Sequence, residues 1–281
     1  MQNGRFQGKC GNPDCGIDFR ILPAIEIHHP KNKSSTWRDI LKHKYEDVKR
    51  ILDDLDKTIP LCRNCHSLTY KVFYSYYRGL IDALYHLISY RFAYNDFKKE
   101  IKTRIMNYGL LDQYSYGITR NKIMAWLRKK IVINYIYNGE CANCGEDDIG
   151  KLEFHHMNPT LKNSYKHRNP NLDKLNIWKT LTLSNTNEAS ERVICEECIC
   201  LCANCHIMMT SNHFVDNSSE ILSTPYYLEK DGEEVELILN GDLYSDEIRK
   251  SYDKLQYNCE KAHERIIKLK KSGESIKDII F

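Results

Sequence analysis

Apolar residues recur at helical spacing along much of this chain. Ile40, Leu41, Val48, Ile51 and Leu52 form a stripe that Ser35 or Thr36 can cap, with Asp39 in the first turn, so a helix is predicted over 36–55. Residues 72–93 are dense in Tyr, Phe and Leu and predict a buried helical pair. Asn95 can cap a helix running through Ile105, and Asn107-Tyr108-Gly109 marks a break. Thr119 opens a helix through Tyr137 whose face of Ile123, Trp126, Leu127 and Ile131 keeps helical spacing. Pro225 to Leu239 reads as a β-hairpin turning at Asp231-Gly232, and Glu229, Glu233, Glu234 and Glu236 would face it away from any polyanion. Ser245 then caps a last helix in which Ile248, Tyr252, Leu255, Cys259, Ala262, Ile266 and Leu269 alternate at spacings of four and three. Tyr, Cys and Ala make a weak coiled-coil core, so this seam suits packing on the protein's own body better than a dimer coil.

Two stretches lack this periodicity and share a different pattern. The first runs Cys10-Gly-Asn-Pro-Asp-Cys15, then His28-His29, then Cys62-Arg63-Asn64-Cys65-His66. The second runs Cys141-Ala142-Asn143-Cys144, then His155-His156, then Cys202-Ala203-Asn204-Cys205-His206. The order knuckle, His-His, knuckle-His therefore occurs twice, an internal duplication in pattern rather than in detailed sequence. Four thiolates suit one closed tetrahedral zinc, which shapes a fold rather than doing chemistry. The histidines are surplus to it and point to a second, open metal site. Cys195, Cys198 and Cys200 offer alternative knuckles in the second stretch. Cys202 and Cys205 are preferred because they precede His206 directly, as Cys62 and Cys65 precede His66. The other three then read as buried thiols or as ligands of a further zinc.

Composition narrows the classes. The 281 residues allow one large domain or two to three small ones. With 28% charged and 42% hydrophobic residues, the chain reads as soluble and globular. A net charge of +3 permits a nucleic-acid partner without demanding one. Of twelve cysteines, the eight paired at knuckle spacing near histidines favour metal over disulfides and an intracellular, reducing location. No apolar run follows Met1-Gln2-Asn3-Gly4-Arg5, so no secretory signal is expected. Arg78, Asp82, His86 and Arg91 interrupt the most apolar region, so no membrane span is expected either.

Both stretches resemble the HNH nuclease motif, the ββα-metal fold. The second carries the likeness on Glu153-Phe154-His155-His156-Met157-Asn158-Pro159 and Leu201-Cys202-Ala203-Asn204-Cys205-His206. The first carries it on Ile25-Glu26-Ile27-His28-His29 and Leu61-Cys62-Arg63-Asn64-Cys65-His66-Ser67-Leu68-Thr69. The resemblance implies an α+β chain of two ββα-metal modules joined and flanked by helices. Residues 1–75 would form the first module, 76–138 a helical linker, 139–215 the second module, and 216–281 the hairpin and C-terminal helix. It further implies a metal-dependent endonuclease of restriction, homing or repair type that hydrolyses phosphodiester bonds in double-stranded DNA, with no membrane partner. A monomer with two modules and a homodimer both fit.

By the same resemblance, Cys10, Cys15, Cys62 and Cys65 hold one structural Zn2+, and Cys141, Cys144, Cys202 and Cys205 another. His28 with His66, and His155 with His206, would ligate a catalytic Mg2+ or Mn2+, while His29 and His156 act as general bases. The chemistry is coherent: a divalent cation polarises phosphate, and imidazole accepts a proton from water near neutral pH. Successive strand residues point to opposite faces, so a His-His pair divides these tasks only on a bent hairpin. The family's middle Asn is replaced by Lys57 and Glu197, and the third His of many members by Tyr70 and Thr210, with His213 out of register. Arg120, Lys122, Arg128, Lys129 and Lys130 surround the apolar face of the 119–137 helix, either as phosphate contacts or as a solvated charged face. The alternative function is a non-catalytic zinc-stapled nucleic-acid-binding protein. A RING-like adaptor crosses its zinc ligands and fits a His-His pair poorly.

Overall fold

Each Cys-rich stretch folds as a two-stranded antiparallel ribbon that runs directly into a short helix. In the computed structural model the described residues are 9–28, 58–89, 94–111, 113–158, 197–223, 226–230, 233–237 and 241–271. In the first stretch β1 (Ile25–His28) pairs with β2 (Ile59–Cys62), which leads into α1 (Arg63–Thr69). In the second, β3 (Leu152–His156) pairs with β4 (Cys198–Cys202), which leads into α5 (Ala203–Met209). The registers match: Ile25 faces Cys62 and His28 faces Ile59, as Leu152 faces Cys202 and His155 faces Ile199. Glu26 thus corresponds to Glu153, His28 to His155, and His66 to His206. The duplication read from residue types is a duplication of backbone pairing.

A third ribbon joins β5 (Tyr226–Lys230) to β6 (Glu233–Leu237), with Lys230 paired to Glu233. This is the register that the hairpin pattern predicts, although Asp231 and Gly232 lie outside the described residues. So do the predicted 36–55 helix, His29, Lys57 and Cys195. Among the described residues the chain is α+β, with three two-stranded sheets among helices.

The chain divides into two units, Met1–Thr69 with Ala203–Leu255, and Tyr70–Cys202 with Gln256–Phe281. In the first unit, a 3-10 turn over Phe19–Ala24 is capped by the Asp18 carboxylate, which accepts the Arg20 N–H at 3.1 Å. Cys10, Leu61 and Cys62 form a small core with Ile17 and Ile25 against it. Helices α6 (Asn212–Asp216) and α7 (Ser218–Ser223) bury Phe214, Val215 and Leu222. Helix α8 spans Gly241–Lys271, and its first half buries Ile248 and Leu255. It starts ahead of the predicted cap, at a position that requires glycine, since a Cβ on residue 241 would overlap the Ser219 carbonyl oxygen. Ser245 lies within the helix and accepts from the Ser218 hydroxyl at 2.9 Å.

The second unit is built on α2 (Val72–Ser89), α3 (Tyr94–Tyr108) and α4 (Tyr116–Tyr137). Helix α2 is continuous over Val72–Ser89 and buries Phe73, Tyr74, Tyr77, Leu80, Ile81 and Leu84 at three- and four-residue spacing. Asn95 lies in the first turn of α3 rather than capping it, and Gly109 closes that helix at φ +94. Helix α4 begins at Tyr116, three residues before the predicted start, because Ser115 caps it. It ends on Asn138 and Gly139, both with positive φ, and the Gly139 N–H returns to the Ile133 carbonyl at 2.9 Å. Ile123, Leu127 and Ile131 are buried as expected, but Val132, Ile133, Ile136 and Tyr137 are buried too. The Tyr74 and Trp126 rings stack at 4.3 Å between α2 and α4. The second half of α8 buries Cys259 and Ile266, so the predicted seam is covered within a single chain up to Leu269, which is exposed. Among the described residues, no helix is long and apolar enough to cross a membrane.

Candidate metal centres

Eight cysteines converge into two groups, Cys10, Cys15, Cys62 and Cys65, and Cys141, Cys144, Cys202 and Cys205. Within each group all Sγ atoms lie within 4.8 Å of one another. Thiolates at about 2.3 Å from a tetrahedral zinc are about 3.8 Å apart. Cys15 and Cys62 are separated by 3.7 Å, and so are Cys144 and Cys202. A disulfide needs about 2.0 Å, so this spacing fits a shared metal and not a cross-link.

The same backbone construction positions both knuckles. Gly11 N–H donates to the Pro60 carbonyl at 2.6 Å, and its counterpart Ala142 N–H donates to the Cys200 carbonyl at 2.9 Å. Cys10 N–H closes the first knuckle on Ile17, and Cys141 N–H closes the second on Glu146. Each Cys-x-x-Cys of the helical side starts at the last strand residue and ends in the first helical turn, which brings its two sulfurs to one side. Cys200 therefore serves through its carbonyl. Its thiol and that of Cys198 are buried in β4, and burial pushes both upward in pKa, as expected of inert thiols.

Donors surround the first group, as four thiolates around one dication require. Cys62 N–H donates to the Cys10 sulfur at 3.2 Å, and the Asn12 amide donates to Cys65 at 3.3 Å. Cys62 is drawn down to about 5, first by the hydrogen bond from the Cys65 thiol, with the Cys65 N–H and the Asn204 side chain adding to it. Cys65 is correspondingly pushed up, and burial raises Cys15 to about 11. The donor set, the spacing and the N–H···S contacts all fit zinc.

The histidines lie on the same elements. In the first repeat the structure brings His28 and His66 together, their rings 5.4 Å apart in an edge arrangement. Glu26 takes the Nδ1 of His66 at 2.5 Å and Arg63 at 2.7 Å. The sequence carries a signal for this, since both repeats place an acid two residues before the first His. In the second repeat His155 and His206 hold the corresponding places in register, with His155 buried. His156 faces Cys198 across the ribbon, Nδ1 to Sγ 3.6 Å. His213 sits in α6, its ring against the Asn217 amide at 3.1 Å.

The basic set on α4 needs correction. Lys129 is fully buried, and its Nζ donates to the carbonyls of Ile149 at 2.7 Å and Leu152 at 2.8 Å. It anchors the turn that enters β3 and cannot reach a phosphate. Lys130 pairs with Asp82, and Lys122 lies 3.8 Å over the Tyr114 ring. Arg120 is exposed, and Arg128 is partly buried. The helix packs by its cations as well as by its apolar face.

Compared with protein-family models, curated proteins and solved structures, the chain matches none.

Proposed function

We propose that this chain is a metal-dependent DNA endonuclease built on two HNH-type ββα-metal modules, each stapled by zinc. The observation that carries this reading is His28 beside His66, with Glu26 on the His66 Nδ1, on the very ribbon and helix that the first four-cysteine group ties together. A zinc staple alone has no use for that arrangement. In this reading His28 and His66, and His155 with His206, hold a Mg2+ or Mn2+ ion. A cation held there would polarise the scissile phosphate and support the departing 3′ oxygen. Glu26 holds the His66 Nδ1, which would leave Nε2 as the nitrogen able to ligate a cation. His156 and His29 take the proton from the attacking water. Double-stranded DNA is the substrate, with Arg120 the exposed cation of α4 offered to phosphate.

The test is cleavage of supercoiled plasmid with Mg2+ or Mn2+. Wild-type chain yields nicked and linear product, and His156→Ala loses the linear product while keeping its zinc and helical content. Full cleavage by His156→Ala sinks the assignment. The second reading, a zinc-stapled nucleic-acid-binding protein without catalysis, rests on Lys57 and Glu197 standing where the family carries Asn. DNA retention without any cleavage would favour it.

A further inference from the structure

Asn64 and Asn204 occupy the same place in the two repeats, between the two cysteines of each closing knuckle. The Asn64 N–H donates to the Asn204 Oδ1 at 3.0 Å, and the Asn204 N–H donates to the Asn64 Oδ1, also at 3.0 Å. Both residues are buried. Because a backbone N–H can only donate, both amide orientations are fixed, and each NH2 is turned away from this pair of bonds. Asn64 lies between Cys62 and Cys65, so the Asn204 side chain holds the backbone of the first group's closing knuckle.

The helices concerned explain why this matters. α1 and α5 have seven residues each, no acidic residue in the first turn, and a cysteine at the position before the helix. Their first-turn N–H groups have no intrahelical acceptor. Each is capped by the other repeat's asparagine instead. Four thiolates around one Zn2+ leave the centre with net negative charge, which N–H donors must balance when it is partly buried. The bond that holds the closing knuckle of the first centre comes from the second repeat.

We propose that Asn204 is a positioning residue for the metal centre of the other repeat, so that the two four-cysteine centres are held as a coupled pair rather than as independent staples. This rests on the cysteine groups holding metal, not on the nuclease reading. Asn204 sits between Cys202 and Cys205, so metal binding in the second repeat fixes the backbone that carries the acceptor of the Asn64 N–H. Filling the second centre therefore strengthens the first.

The experiment uses the full chain loaded with Cd2+, a thiophilic probe whose two centres give separate cadmium NMR signals. Cys15→Ser and Cys144→Ser assign them. In Asn204→Ala, the signal of the Cys10, Cys15, Cys62 and Cys65 centre moves, and its metal passes to a chelator at least about tenfold faster, the usual size of an outer-shell effect. Asn204→Asp keeps an acceptor for the Asn64 N–H, so it restores the slow metal release that Asn204→Ala loses. If folded Asn204→Ala disturbs only the Cys141, Cys144, Cys202 and Cys205 centre, or Asn204→Asp releases metal as fast as Asn204→Ala, the coupling is overturned. Absence of any cadmium signal from wild-type chain would instead overturn the metal reading itself.

Discussion

Asn64 and Asn204 accept each other's backbone N–H at the same distance, 3.0 Å, from positions 140 residues apart in the chain. Reciprocal equal bonds between corresponding residues are the mark of an isologous contact, as at a two-fold dimer interface. Here both partners belong to one chain. The helices that close the two cysteine groups are thus paired by the duplicated sequence itself.

Removing this pair has a definite energetic signature. Asn64→Ala and Asn204→Ala each delete a cap and leave a buried N–H without its acceptor, which costs about 1–2 kcal/mol. The two bonds form one face, so the double variant departs from the sum by at least about 0.5 kcal/mol. Urea unfolding of the zinc-loaded chain measures this. Strictly additive losses would mean two unrelated caps.

Metal affinity should depend on pH through the thiols of the first group. In the metal-free chain Cys15, raised to about 11 by burial, and Cys65, raised by the bond it donates to Cys62, keep their protons at neutral pH. Cys62, near 5, has lost its own. Zinc must displace the two protons, so affinity rises with pH throughout the range between those two values and falls further once acid protonates Cys62. Competition with a chromophoric chelator between about pH 6 and pH 8 should show a steep rise. A flat profile would rule out thiolate ligation by this group.

Lys129 gives a second pH effect, of opposite origin. Its pKa lies well below 10.5 because burial disfavours the ammonium, with Lys71 adding to it against the pull of Cys200, Glu153 and Asp148. Below 10.5 and above the folded value, the unfolded chain binds this proton and the folded chain does not. Stability conferred by the site therefore increases with pH across that window. Lys129→Met removes the slope and leaves the Ile149 and Leu152 carbonyls without their donor, at about 1–3 kcal/mol for each. The unfolding free energy of wild type minus Lys129→Met, followed from neutral to alkaline pH, should grow. A constant difference contradicts the assignment.

Lys129 also shows where reading the sequence stops. Its run of Arg128, Lys129 and Lys130 looks like a solvated or DNA-facing patch, because charge is written in the sequence and burial is not. The carbonyls of a turn about twenty residues later receive its Nζ and make an interior lysine tolerable. The two cysteine groups, by contrast, are legible, since knuckle spacing is local geometry and the choice of Cys202 with Cys205 follows from the adjoining His. The sequence pattern starts helix α4 three residues late because Thr119 resembles a cap, while Ser115 is the residue whose side chain accepts a helix N–H. The repeated Asn between the closing cysteines is visible too. Its role is not, because a cap supplied by a distant helix leaves no local spacing to read.

Glu26 offers the sharpest test of the histidine sites. Its carboxylate holds the His66 Nδ1 at 2.5 Å and the Arg63 guanidinium at 2.7 Å, so one acid orients both the ring and its neighbour. Glu26→Gln keeps the shape but loses the charge that favours a proton on Nδ1, and the ring is then free to present the wrong tautomer. Outer-shell losses of this kind reduce metal affinity or activity about 10- to 100-fold. Mn2+ binding followed by electron paramagnetic resonance should fall by that factor in Glu26→Gln, with zinc content and helicity unchanged. Glu153→Gln provides the parallel measurement in the second repeat, where the acid holds the same register position. Loss in one variant only identifies the repeat that binds the cation, and loss in both identifies two working sites. Unchanged Mn2+ binding in both variants would remove the carboxylate–histidine pair from the site and leave His66 as a packing residue.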